Sequence, residues 1–298
     1  MKNNLPLRRS ALIYTAAALA LTLLSTLLRA LSLTLSYDAS IGYFPAGAVL
    51  PILSEILGVA SVIFFAVFAI LCFRKKETAY AKKPSLAVKI VSGIAAVLSL
   101  LLGIYDLKVG ASVLTLLFCF GACLYFLLVL TAKTTPALAL AFGFCAILRL
   151  LSELASSYVD LFVPMNSPEK VWLYVGIVAA MFFLVSEIRA LVTKPYTAIW
   201  FFSAASATLI VGSTSVALLV GTIHSLFYGR TDDGDLLFAL LLLSLAIYAG
   251  TRLVTVSLTP LPEEPEEIEE TEETEEIKET ELTEAFEATE EPKETDEQ

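Results

Sequence analysis

The sequence has one histidine, His224, and only four cysteines, Cys72, Cys119, Cys123 and Cys145, none in a Cys-x-x-Cys pair. That leaves too few ligands for a zinc site, c-type haem attachment or a disulfide framework. Also missing are a His-Glu-x-x-His, a Gly-x-Ser-x-Gly elbow and a phosphate-binding Walker loop, so the common zinc-protease, hydrolase and ATPase chemistries lack their signatures. No enzyme activity, cofactor or metal is expected. Cys119 and Cys123 stand at i, i+4 on one helix face, where they read as small apolar packers.

Charge is scarce and unevenly spread. Charged residues make up 17% of the 298, hydrophobic residues 57%, and the mean hydropathy is +0.78. A soluble domain is nearer ~45–50% apolar. Such long apolar runs need a bilayer as their solvent.

A helix needs ~20 mostly apolar residues to cross the hydrocarbon core. Eight segments qualify, at about 11–36, 47–73, 85–105, 110–131, 137–158, 170–192, 197–226 and 235–257. Their apolar character is continuous rather than alternating, and a helix satisfies its own backbone in lipid, so helices are expected and strands are not. The first run follows Lys2, Arg8 and Arg9 but is far longer than a ~7–15-residue signal core, and it reads as a retained span. The expected fold class is therefore all-α, a polytopic membrane protein of about eight helices.

Lysine and arginine in the connections set the expected orientation. With the N-terminus inside, the inner segments hold Lys2, Arg8, Arg9, Arg74, Lys75, Lys76, Lys82, Lys83, Lys133, Arg189, Lys194 and Arg252; the outer loops hold Lys108, Lys170 and Arg230. Both termini then face the cytoplasm. Short loops and this bias point to a bacterial plasma membrane. Because the basic residues flank membrane helices, no nucleic-acid partner is expected.

From residue 261 the composition changes. Residues 263–298 contain 18 Glu, one Asp and two Lys, so this stretch carries −17, and the remaining chain, with 18 basic and 11 acidic residues, carries +7. Like charges repel and little can be buried, so 261–298 is expected to be a disordered acidic tail. Its natural partner is a basic cytoplasmic protein or the chain's own Arg74-Lys75-Lys76 and Lys82-Lys83.

The sequence carries signs of an internal duplication. Leu28-Arg29 is followed by Ser32, Ser36, Tyr37, Asp38, Phe44 and Pro45; Leu148-Arg149 is followed by Ser152, Ser156, Tyr158, Asp160, Phe162 and Pro164. Two four-helix halves, 1–131 and 132–260, would keep the same orientation as parallel repeats, because four is even.

An ionised side chain within the bilayer is costly, ~2.5–3.5 kcal/mol on insertion scales, and usually faces protein or a water-filled cavity. Arg29 and Glu55 lie at similar depths in the first two spans, and the simplest arrangement pairs them. Arg149 and Glu153 stand at i, i+4 and pair on one helix face. These four residues form the candidate polar intramembrane site. The alternative is a purely structural role as salt bridges that fix helix packing. Glu187, in a Ser-Glu context like those of Glu55 and Glu153, lies near the inner end of the sixth span and is expected to reach the interface.

In the seventh span, Ser203-Ala204-Ala205-Ser206-Ala207 suits close helix packing. The Gly212-Ser213-Thr214-Ser215 run reads either as more tight packing or as a kink exposing backbone to a solute. His224 is a lone interfacial histidine with a structural reading.

Tyr105-Asp106 and Gly234-Asp235 invite comparison with intramembrane aspartyl proteases, which pair Tyr-Asp with Gly-x-Gly-Asp. Asp232 stands where that pattern needs glycine, and both aspartates are expected in exposed outer loops. A dyad needs two close, protected carboxylates, so this reading is set aside.

Two functions remain. One is a small permease with a solute or ion site between two halves, where Arg29 and Arg149 attract an anionic group and Glu55 and Glu153 balance charge or carry a proton. The other is a membrane scaffold or sensor that recruits a partner through the acidic tail.

Overall fold

A computed structural model of the chain describes residues 5–37, 44–73, 84–132, 135–159, 168–192, 197–227 and 233–259. Among these, eight α-helices follow one another: α1 Leu5–Ser36, α2 Val49–Phe73, α3 Leu86–Lys108, α4 Val113–Thr131, α5 Pro136–Val159, α6 Pro168–Val192, α7 Thr197–Phe227 and α8 Asp233–Leu258. All eight are long and apolar enough to cross a membrane. The side on which α1 begins is termed proximal, the other distal. Successive spans alternate, so α8 ends proximally.

Local chemistry sets the helix ends. Ser85 and Ser112 cap α3 and α4, their hydroxyls accepting from the amides of Val88 and Thr115. Between those helices Gly110, at φ +74, takes the left-handed conformation a tight exit from α3 requires. As a result α3 runs three residues beyond the expected end at 105. Asp106 is thereby helical and buried, not in an exposed loop.

The bundle is organised around α7 and α8. Two-thirds of the apolar window of α8 and half that of α7 are buried, against 28% for α1, α2 and α5, so these two helices form the centre. α7 packs on α1, α2, α6 and α8; α8 also touches α1, α3 and α6; α4 and α5 close the arc between α3 and α6. Small residues allow this approach. Ser203 through Ala207 are all buried. α7 is continuous through Gly212-Ser213-Thr214-Ser215, with Ser213 and Ser215 donating to carbonyls three residues back. The run packs; it does not break the helix.

Residues 2–260 form one compact unit. Within it, among the described residues, the α1/α2 pair makes no contact with the α3/α4 pair; α8 lies between them. The gap between α1 and α3 is an apolar groove of about 780 Å³ floored by α8 and flanked by α7. The threonines on its α8 wall, Thr251 and Thr255, donate to their own helix carbonyls. The basic segment 74–83 and the acidic segment 261–298 lie outside the described residues.

Candidate functional site

Two groups of buried charges divide the bundle by depth. In the distal half, α1 carries Arg29 on its inward face with Ser25 and Ser32, and the residue is only 2% exposed. Its guanidinium lies over the Trp172 ring of α6 at 5.1 Å and the Phe44 ring at 5.8 Å, within cation–π range. Trp172 reaches from α6 to α2. A Cβ at Gly58 would stand 3.3 Å from its ring, so only glycine leaves it ordinary clearance there.

Glu55 does not join this group. The buried face of α2 runs through Pro51, Ser54, Gly58, Ser61, Phe65, Ala69 and Phe73, and Glu55, one residue past Ser54, is rotated ~100° away and exposed. The expected Arg29–Glu55 pair does not form.

Arg149 and Glu153 do pair, at 2.8 Å through Nη1 and Oε2. Arg149 is also the hub of a wider network. Its Nε donates to the Cys119 sulfur at 3.0 Å, and Nη2 is 3.5 Å from Asp106 Oδ2, to which the Cys119 thiol donates at 3.3 Å. Three helices, α3, α4 and α5, are thus tied at one buried guanidinium. Asp106 meets an arginine rather than a second carboxylate. Tyr105 does pack against Gly234, where a Cβ would fall 2.6 Å from the ring, so the two dipeptides flagged in sequence are neighbours through that contact.

A cavity of about 330 Å³ lies in the distal half among α1, α5, α6, α7 and α8. Arg29, Glu153, Lys170 and Asp235 supply its charges, and Trp172 and Phe238 its aromatic walls. Of the four residues singled out in sequence, Arg29 and Glu153 line this space, Arg149 stands behind Glu153, and Glu55 is elsewhere. Sequence reasoning placed Lys170 and Asp235 in loops. Each lies in the first turns of a helix, and Lys170 is buried. Thr214 helps fix the wall, donating across to the Trp172 carbonyl at 3.1 Å, while the glycine at 176 lets α6 approach Thr214.

The two similar stretches share local geometry. Ser32 donates to the Arg29 carbonyl and Ser152 to that of Arg149, each at 2.8 Å, and both arginines are buried in the distal half. Their surroundings differ: aromatic rings for Arg29, carboxylates and a thiol for Arg149.

The second charge group is proximal. Glu187 is 1% exposed and does not reach the interface. Its Oε1 accepts from Arg252 Nε at 2.7 Å and from the Tyr248 hydroxyl at 3.2 Å, and its Oε2 accepts from Trp200 Nε1 at 2.9 Å. Arg252, read from sequence as an inner loop charge, is therefore an interior residue of α8. The side chain of His224 lies outside the described residues.

Comparison of the chain with family models, curated proteins and solved structures gave no match.

Proposed function

We propose that this multi-pass membrane protein is a small permease that takes a polar solute into the distal cavity. The observation that supports the reading is the lining of that cavity. Arg29 and Lys170, both almost wholly buried, and Glu153, about a quarter exposed, border a space of about 330 Å³ inside the bundle. A packing-only role needs the charges but not the space; Glu187 and Arg252 serve as an internal comparison, meeting each other directly at 2.7 Å. Cavities of this size, apolar with a few convergent polar groups, are the usual form of a small-molecule site. Arg149, held by Asp106 and Glu153, is assigned to orient Glu153 rather than to touch solute.

In this reading the proximal face is cytoplasmic, the membrane is a bacterial plasma membrane, and the cavity is loaded from outside. Setting aside Arg252 and Lys170, which are buried, the connection charges that favour this orientation number eleven against two. The test is flux into proteoliposomes together with a blocking variant. Gly221 lines the cavity and an added Cβ there meets no atom within 4 Å, so Gly221→Phe places a ring at the cavity lining without a backbone clash. Loss of solute entry in a normally folded Gly221→Phe protein is expected. Entry that is indifferent to it would remove the cavity from the mechanism.

A further inference from the structure

We infer that the solute held in the distal cavity is a small zwitterion, carrying an anionic group and an ammonium on one short skeleton. The inference rests on the solute-cavity reading above and narrows it to a substrate class.

Charge balance is the first argument. The lining contains two cationic side chains, Arg29 and Lys170, and two anionic ones, Glu153 and Asp235; directly behind Glu153, Arg149 and Asp106 add one of each sign. The set sums to zero. An ion entering alone brings an uncompensated charge into a space walled by Trp172, Phe238 and Leu218 within the membrane domain, where unpaired charge is expensive. A zwitterion preserves the balance and presents a complementary charge to each sign of the lining.

Helix ends supply the second argument. α6 begins at Pro168, so its positive end lies beside Lys170; α5 ends at Val159, with Ser157 in its last turn and Glu153 further back along the helix. The α6 dipole reinforces Lys170, and Glu153 supplies the negative side of the cavity by its own charge. The carboxylate of a bound solute belongs with Lys170 and Arg29, and its ammonium with Glu153.

Size is the third. About 330 Å³ is some eleven water volumes at ~30 Å³ each, room for a solute of roughly five to ten non-hydrogen atoms with residual water.

The experiment uses the full chain in lipid nanodiscs and calorimetric titration with six probes: L-alanine, β-alanine, γ-aminobutyrate, propionate, propylamine and glycerol. At least one of the three amino acids is expected to bind about tenfold more tightly than propionate, propylamine or glycerol, and Gly221→Phe is expected to abolish that binding. Lys170→Met is expected to shift preference towards propylamine, and Asp235→Asn, at an exposed position, towards propionate. Propionate, propylamine or glycerol binding as tightly as every amino acid, and still blocked by Gly221→Phe, overturns the zwitterion assignment and leaves the solute cavity standing. Failure of all six probes to bind overturns both.

Discussion

Arg252 and Glu187 meet 2.7 Å apart, joining α8 to α6 in the proximal half with neither side chain more than 3% exposed. Trp200 and Tyr248 saturate the same carboxylate. Breaking such a pair leaves one buried charge without its partner, which costs about 3–5 kcal/mol, whereas replacing both with apolar residues is close to neutral. Glu187→Leu and Arg252→Met are each expected to lower stability by that order in an unfolding titration, and the double variant to recover most of it. A double variant as unstable as either single one would show that the cluster is held by something other than the ion pair.

Arg149 is joined to Glu153, Ser152, Cys119 and Asp106, and its loss should be felt by all of them. Arg149→Gln strands Asp106 beside the Cys119 thiol and frees Glu153. We expect it to destabilise by several kcal/mol, about 3–5 on the scale of broken buried pairs. Adding Asp106→Asn should restore part of the loss by removing the stranded charge, as read by thermal unfolding in nanodiscs. No restoration would mean that Asp106 is solvated without Arg149.

Close approach of α4 and α5 depends on Gly121, where an added Cβ would fall 2.4 Å from the Cys145 Cβ. Gly121→Ala is therefore expected to cost about 1–3 kcal/mol through overpacking. Because the clash is with a β-carbon, Cys145→Ser should not relieve it, whereas Cys145→Gly should. Equal behaviour of the two rescues in a melting series would contradict the contact.

Gly58 offers a test of the site from a distance. It does not line the cavity, yet a side chain there presses on Trp172, which in turn backs Arg29. Gly58→Val is expected to weaken solute binding about tenfold, or ~1.4 kcal/mol, while α2 remains inserted. Unchanged affinity by calorimetry would separate Trp172 from the site.

Three Ser-Glu steps illustrate what a sequence conveys. Leu53-Ser54-Glu55-Ile56, Leu151-Ser152-Glu153-Leu154 and Val185-Ser186-Glu187-Ile188 are nearly the same tetrapeptide in similar apolar helices. In the structure Glu55 is exposed, Glu153 borders a cavity, and Glu187 is sealed against an arginine. The i, i+4 pairing of Arg149 with Glu153 was legible because both partners share one helix, whose geometry fixes their spacing. Pairing between Arg29 and Glu55 was not, because it depends on how two helices are rotated about their own axes. In lipid, apolar residues suit every face, so the hydrophobic pattern that sets rotation in a soluble bundle is silent here.

The sequence by itself determined the eight spans and most of their ends, since hydrocarbon thickness and backbone satisfaction leave helices of this length as the solution for such runs. It also determined that Arg29 and Arg149 are turned into protein rather than lipid, because a buried base demands it. Only the tertiary structure decided that α8 is central, that Asp106, Glu187 and Arg252 are interior, and that Lys170 and Asp235 join Arg29 and Glu153 around one space. Those outcomes depend on contacts between residues far apart in the chain, where small side chains set how closely helices approach and no local spacing records which helix will be the neighbour.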